Sequence, residues 1–120
     1  MEANGILVLL GLFVLKHWIA DFIIPAYRSN SIMRRYGSWL SIEHVLIHCT
    51  LTASFLFVFY PWLLVIKVAA IELLFHYHVD YIRHRFGPKD LKSEKFWAWF
   101  GTEQLSHYAL YLSLVYYLKN

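Results

Sequence analysis

Residues 5–24 read GILVLLGLFVLKHWIADFII, and this stretch decides the fold. A bilayer core about 30 Å thick takes roughly 20 apolar helical residues to cross, and residues 5–24 supply that length. The stretch has no basic segment before it and no small-x-small cleavage site, and it carries Lys16, His17 and Asp21. It therefore reads as a retained helix rather than a signal peptide. Three further stretches of similar character follow at Trp39–Tyr60, Trp62–Tyr81 and Phe96–Leu118. The composition agrees. Of 120 residues, 59% are hydrophobic and 16% charged, with a mean hydropathy of +0.46. A soluble domain of this length cannot bury so much apolar surface, and a disordered chain would be poor in it. The lone Cys49 excludes a disulfide scaffold and any Cys-x-x-Cys zinc motif. The expected fold is all-α: a polytopic membrane protein forming one four-transmembrane-helix bundle over residues 1–120.

The charges orient this bundle. Eight of the eleven Lys and Arg residues lie in two hydrophilic loops, about 25–38 and 82–95. The first holds Arg28, Arg34 and Arg35; the second holds Arg83, Arg85, Lys89, Lys92 and Lys95. Spans two and three meet in a tight turn at Tyr60-Pro61-Trp62, so both basic loops fall on one side. The positive-inside rule makes that side the cytoplasm and puts both termini outside it. The pI of about 9.0 then reflects orientation and contact with anionic membrane lipid, not nucleic-acid binding. Trp39, Trp62, Trp97, Trp99, Tyr36, Tyr60, Tyr116 and Tyr117 gather at the span ends as an aromatic belt.

Ionisable groups within spans are costly and mark functional sites. Five of eight carboxylates and six of seven histidines lie there, in a repeated pattern. The first span has His17-x-x-x-Asp21, the second His44-x-x-x-His48, the third His76-x-x-x-Asp80 and the fourth Glu103-x-x-x-His107. Residues four apart share a helix face, so each helix presents one polar stripe. Alternate helices run in opposite directions, and all four stripes approach the cytoplasmic surface. At about 1.5 Å of rise per residue, Asp21, His44, Asp80 and Glu103 lie roughly 3–10 Å below the helix ends. On the same rise His17, His48, His76 and His107 lie roughly 9–16 Å below them. Four helices agreeing on depth define one site of two layers. Glu72, one turn deeper on the third stripe, is a further ligand or a partner of Lys16. Gln104, next to Glu103, is placed to orient a ligand or a substrate.

Imidazole with carboxylate is the ligand set of zinc, non-haem iron and manganese. His17, Asp21, His44, His48, His76, Asp80 and His107 are the candidate metal ligands or their partners, for one ion with a full outer shell or for two. Glu103, on the shallower side, is the candidate general base, with Asp21 beside it as a second catalytic candidate. Other readings stand alongside: helix-to-helix hydrogen bonding, haem ligation, and a proton path, although such a path would run through the full thickness. The expected cofactor is a divalent metal, zinc foremost, and the basic loops would draw an anionic lipid or lipid-linked substrate.

His17-x-x-x-Asp21-Phe22, His44-x-x-x-His48, His76-x-x-x-Asp80 and Glu103-Gln104-x-x-His107 resemble the domain of unknown function 3307 family of small phage and bacterial inner-membrane proteins. The resemblance runs over essentially the whole chain. That family reads Asp-Phe-x-x-Gln in the first motif and Asp-Gln in the last; here Pro25 stands at the glutamine and Glu103 at the aspartate. The family is distantly similar to membrane-bound metal-dependent hydrolases, and the resemblance thus implies metal-dependent hydrolysis of an ester or phosphoester at lipid level. The alternative is a non-enzymatic phage or bacterial membrane factor for exclusion, lysis or envelope modification, in which the cluster is structural or holds a partner.

Overall fold

A computed structural model of the chain describes residues 2–26, 36 and 38–120. Helix α1 spans Ala3–Trp18 and continues through one π-helical turn, Ile19–Ile23, into a last short turn, Ile24–Ala26. Helices α2 (Trp39–Leu56), α3 (Trp62–Phe86) and α4 (Glu94–Leu118) follow, and no strand occurs among the described residues. The π turn has a local cause. Pro25 has no N–H to donate to the carbonyl of Asp21, and its ring crowds that carbonyl; widening the turn relieves both. Ser38 caps α2, its hydroxyl accepting from Ser41 N at 3.3 Å. Gly87-Pro88 stops α3.

Neighbouring helices pack in a closed ring, α1 on α2, α2 on α3, α3 on α4 and α4 on α1. Each helix turns one narrow stripe inward. On α1 it is Leu9, Phe13, Lys16, His17 and Ala20; on α3 it is Val65, Val68, Glu72, His76 and Asp80. All four stripes are apolar at one end and polar at the other. The apolar half is filled by Leu9, Phe13, Leu56, Val65, Val68, Tyr111, Leu114, Val115 and Leu118. Phe13 stacks on Tyr111 at 5.0 Å between ring centres and meets the edge of Phe55 at 5.1 Å. The turn between α2 and α3 is tied to the end of α4 by the Tyr60 hydroxyl, which donates to Leu118 O at 3.1 Å.

The outer face is apolar, with Leu7, Val14, Leu15, Ile66, Leu74 and Leu112 all exposed. Three helical stretches are long and apolar enough to cross a membrane: Ala3–Ile23, Trp39–Leu56 and Trp62–Phe86. At most 28% of each apolar stretch is buried, the inside-out pattern of a multi-pass membrane protein rather than of a water-soluble core. The expectation of four such spans holds for three. Helix α4 has the length, at 25 residues, but Glu103, Gln104, His107 and its Ser, Thr and Tyr residues dilute its hydropathy. The third helix also runs past the expected Tyr81 to Phe86, because nothing between Ile82 and Phe86 breaks a helix. The second hydrophilic loop shrinks to residues 87–93 accordingly, and Arg83 and Arg85 belong to α3. Arg28, Arg34 and Arg35 lie outside the described residues.

Gly87 sits where α3 ends against α4. A Cβ there would lie 2.6 Å from the carbonyl oxygen of Arg83 and 3.2 Å from the Trp99 ring. Gly87→Ala is expected to destabilise the fold by about 1–3 kcal/mol, the usual penalty for overpacking, and to shift Trp99. A denaturation series in detergent, read by tryptophan fluorescence, checks both effects.

Candidate metal centre

The polar half of the bundle contains four completely interior imidazoles. His17 is 1% exposed, and His48, His76 and His107 are 0% exposed. Each comes from a different helix, and their rings touch: His48 to His76 at 3.9 Å and His76 to His107 at 3.8 Å between centres. His17 completes the layer at 5.4 Å from both His48 and His107. Above this layer stand Asp21, His44, Asp80 and Glu103. The expected two-layer arrangement is what these helices assemble.

The two aspartates are the points of convergence. Around Asp21 stand His17 Nε2 at 3.0 Å, His44 Nε2 at 3.0 Å and His48 Nε2 at 2.7 Å. Around Asp80 stand His76 Nε2 at 2.9 Å, His107 Nε2 at 2.9 Å and His44 Nε2 at 3.5 Å. Two atoms bound to one ion at about 2.0–2.2 Å and roughly tetrahedral or octahedral angles lie about 3.0–3.5 Å from each other. The His17 and His44 contacts to Asp21 and the His44 contact to Asp80 fall in that range, while His48 to Asp21 and His107 to Asp80 have the length of hydrogen bonds. Ligand atoms of Asp21, His44, His48 and His76 all lie within 4.8 Å of one another, and so do those of His76, Asp80 and His107. His76 belongs to both groups.

His76 is also the side chain least explained by hydrogen bonding. Neither of its ring nitrogens makes a hydrogen bond, although Nε2 stands 2.9 Å from Asp80 Oδ2. Nδ1 of His107 is likewise buried without a hydrogen-bond partner. Buried polar atoms without partners are uncommon and costly. A lone pair aimed at a cation, beside but not along the line to the neighbouring ligand, accounts for the Nε2 geometry of His76. The donor set fits a divalent ion.

Further side chains from the helices contact the imidazoles. His17 Nδ1 lies 2.8 Å from the Tyr111 hydroxyl, and His17 Nε2 lies 2.6 Å from Gln104 Oε1. Gln104 Nε2 donates to Asp21 Oδ2 at 3.3 Å, so Gln104 links two helices at the site. Lys16 Nζ lies 3.2 Å from His48 Nδ1 and pairs with Glu72. Of the two roles open to Glu72 in the sequence, it is the partner of Lys16. Beneath this pair the interior is apolar, through Phe13, Val65, Val68 and Leu56. Glu103 is held by Arg83 in an ion pair and lies 3.8 Å from His107 Nε2. The carboxylate expected to stand ready as a base is therefore restrained by a cation from the segment expected to be loop.

A profile of the family described as protein of unknown function (DUF3307) matches residues 9–119. The chain belongs to that family. The DUF3307 match spans all four helices and every residue of the centre. No curated protein and no solved structure matches the chain, and nothing in these matches ties the family to membrane-bound hydrolases. Within this DUF3307 chain, the residues the motifs did not single out are Lys16, Tyr111 and Arg83. Lys16 was legible from spacing alone: it falls on the Leu9, Phe13, His17, Ala20 face. Tyr111 follows His107 by four. Arg83 was hidden because the helix end was set too early.

His78 stands apart. Its ring is exposed, with Nδ1 2.7 Å from the Leu74 carbonyl and Nε2 3.2 Å from the Tyr36 hydroxyl. Cys49 is buried and donates to Ala69 O at 3.4 Å, away from the imidazoles.

Proposed function

We propose that this protein is an inner-membrane metalloenzyme that hydrolyses an ester or phosphoester of a lipid at the headgroup level of the cytoplasmic leaflet. One observation carries the reading: five imidazole Nε2 atoms from four helices converge on the carboxylates of Asp21 and Asp80. They do so inside a bundle whose outside is apolar. Helix α4 serves as the fourth span in this reading, since Glu103 and His107 face inward while Leu105, Leu112, Tyr116 and Tyr117 face outward. Arg85, Lys89, Lys92 and Lys95 mark the same end of the bundle as the centre. By the positive-inside rule that end is cytoplasmic, and both termini lie outside.

A divalent ion, zinc foremost and iron or manganese otherwise, would lower the pKa of a water and polarise the ester. His44, His48, His76, His107, Asp21 and Asp80 would hold it, and His17 would border it, its ring held by Tyr111 and Gln104. Glu103, once free of Arg83, takes a proton from the attacking water. A bond forms from that oxygen to phosphorus or carbonyl carbon, the ester bond breaks, and the proton passes to the departing alcohol.

The test uses the metal-loaded protein in vesicles of phosphatidylglycerol and phosphatidylethanolamine, with release of headgroup or fatty acid followed by mass. Glu103→Gln should slow release by about 10²–10⁴-fold, the range for removing a general base, and leave the bound metal in place. Equal rates in the two proteins would overturn the assignment of Glu103. A metal-loaded protein that releases nothing would overturn the hydrolase reading and leave a non-enzymatic membrane factor.

Protons compete with metal for imidazole. Bound metal should therefore be retained at neutral pH and lost on acidification, with several protons taken up per ion released. Equilibrium dialysis across a pH series measures this.

A further inference from the structure

We infer that the groove between α3 and α4 is a phospholipid site, with the lipid phosphate on Arg83 and an acyl chain against Val79, Ile82 and Ala98. The groove encloses about 420 Å³ and is lined by these residues with Trp99, Thr102, Glu103 and Ser106. That volume lies within the roughly 300–1,000 Å³ of ligand pockets. Its walls are mostly apolar, and Arg83 is the single cation among its lining residues. The hydroxyls of Thr102 and Ser106 donate to their own helix, to Ala98 O at 2.8 Å and Thr102 O at 2.8 Å. The side-chain donors available to an anion are therefore those of the guanidinium and the Trp99 indole N–H.

Arg83 suits a phosphate. Its planar fork of five N–H groups binds phosphate in two-point fashion. Its partners are Glu103, His84 Nε2 at 3.2 Å and the Phe96 and Phe100 rings, centred 5.8 and 5.4 Å from the guanidinium carbon. With two polar partners for five N–H groups, donors remain for a further anion. The depth is that of a headgroup: Trp97, Trp99, Lys92 and Lys95 surround the same helix end, where anionic lipid is attracted. An apolar slot open to the side with one buried-edge cation at that level matches an amphiphile with an anionic head, not a free sugar or a peptide.

The groove also leads to the metal centre. Glu103 joins Arg83 on one side and lies 3.8 Å from His107 Nε2 on the other; His107 is 2.9 Å from Asp80 Oδ1. A phosphate on the remaining donors of Arg83 shares the guanidinium with Glu103, so lipid binding weakens the hold on this carboxylate beside the centre. The inference rests on the hydrolase reading only for that last consequence; lipid retention is measured without metal.

The experiment counts phosphatidylglycerol carried by the full chain through detergent washing, by native mass spectrometry, after metal is removed. Wild type should keep about one lipid per chain. Ala98→Phe, a change at an exposed position that fills the groove, should lower retention at least tenfold with helicity unchanged. The paired change Arg83→Gln with Glu103→Gln removes the cation without stranding a charged partner and should do the same. Unchanged retention in either variant overturns the site. Displacement of the lipid by millimolar inorganic phosphate would also overturn it, because the anion contact alone would then account for binding. Failure here leaves the metal assay above intact, and failure of that assay leaves the lipid count intact.

Discussion

His76→Ala should strip the centre of metal more completely than any other single substitution. His76 contributes to both ligand groups, whereas Asp21, His44 and His48 belong to one and Asp80 and His107 to the other. Its two ring nitrogens make no hydrogen bond that the change would sacrifice. Changing residues that merely orient a ligand costs about 10–100-fold in metal affinity, so loss of this ligand should exceed about 100-fold. The bundle itself should survive, since removing an imidazole with no hydrogen bonds leaves no polar group newly stranded by its loss except Asp80, which keeps His107 at 2.9 Å. Competitive titration against a chelator, with circular dichroism as the check on folding, measures both halves of the expectation. A metal affinity within threefold of wild type would remove His76 from the centre.

The second large effect lies one turn deeper. Lys16 and Glu72 are 4% and 0% exposed in their side chains and pair with each other. Removing one member of a buried pair leaves an uncompensated charge and costs about 3–5 kcal/mol. Lys16→Met should therefore destabilise the bundle strongly. It should also loosen His48, whose Nδ1 loses a contact at 3.2 Å. Replacing both partners, Lys16→Met with Glu72→Leu, should recover most of the stability, because two apolar groups of similar volume need no compensation. The double variant should still bind metal less tightly than wild type, as His48 is then held on one side only. Unfolding in detergent mixtures gives the stability terms. If the double variant is as unstable as the single, the pair is not the reason Lys16 is buried.

Much of this was legible in the sequence, and the reason is periodicity. His17, Asp21, His44, His48, His76, Asp80, Glu103 and His107 lie at i, i+4 on helices of alternating direction, and that alone brings them to one level. What the spacing could not give was the pairing between helices. Nothing in the chain before folding says that Asp21 collects three histidines while Asp80 collects His76 and His107, or that Glu103 is engaged by Arg83. The π turn at Ile19–Ile23 was signalled only by Pro25, four residues beyond Asp21, and a proline near a span end reads first as a loop. Helix α4 illustrates the limit of composition. Its inward polar stripe, together with the Thr, Ser and Tyr residues on its exposed face, lowers its hydropathy below what the other three helices reach.

Elemental analysis of the purified protein tests directly that the His and Asp cluster is a metal centre. After reconstitution with zinc, iron or manganese and removal of loosely held ions, wild type should retain at least one divalent ion per chain. The His76→Ala, His107→Ala double variant, folded to the same helical content, should retain less than a tenth of that. A folded wild-type protein that keeps no stoichiometric ion under any of these loadings would contradict the central claim and return the cluster to a role in helix packing.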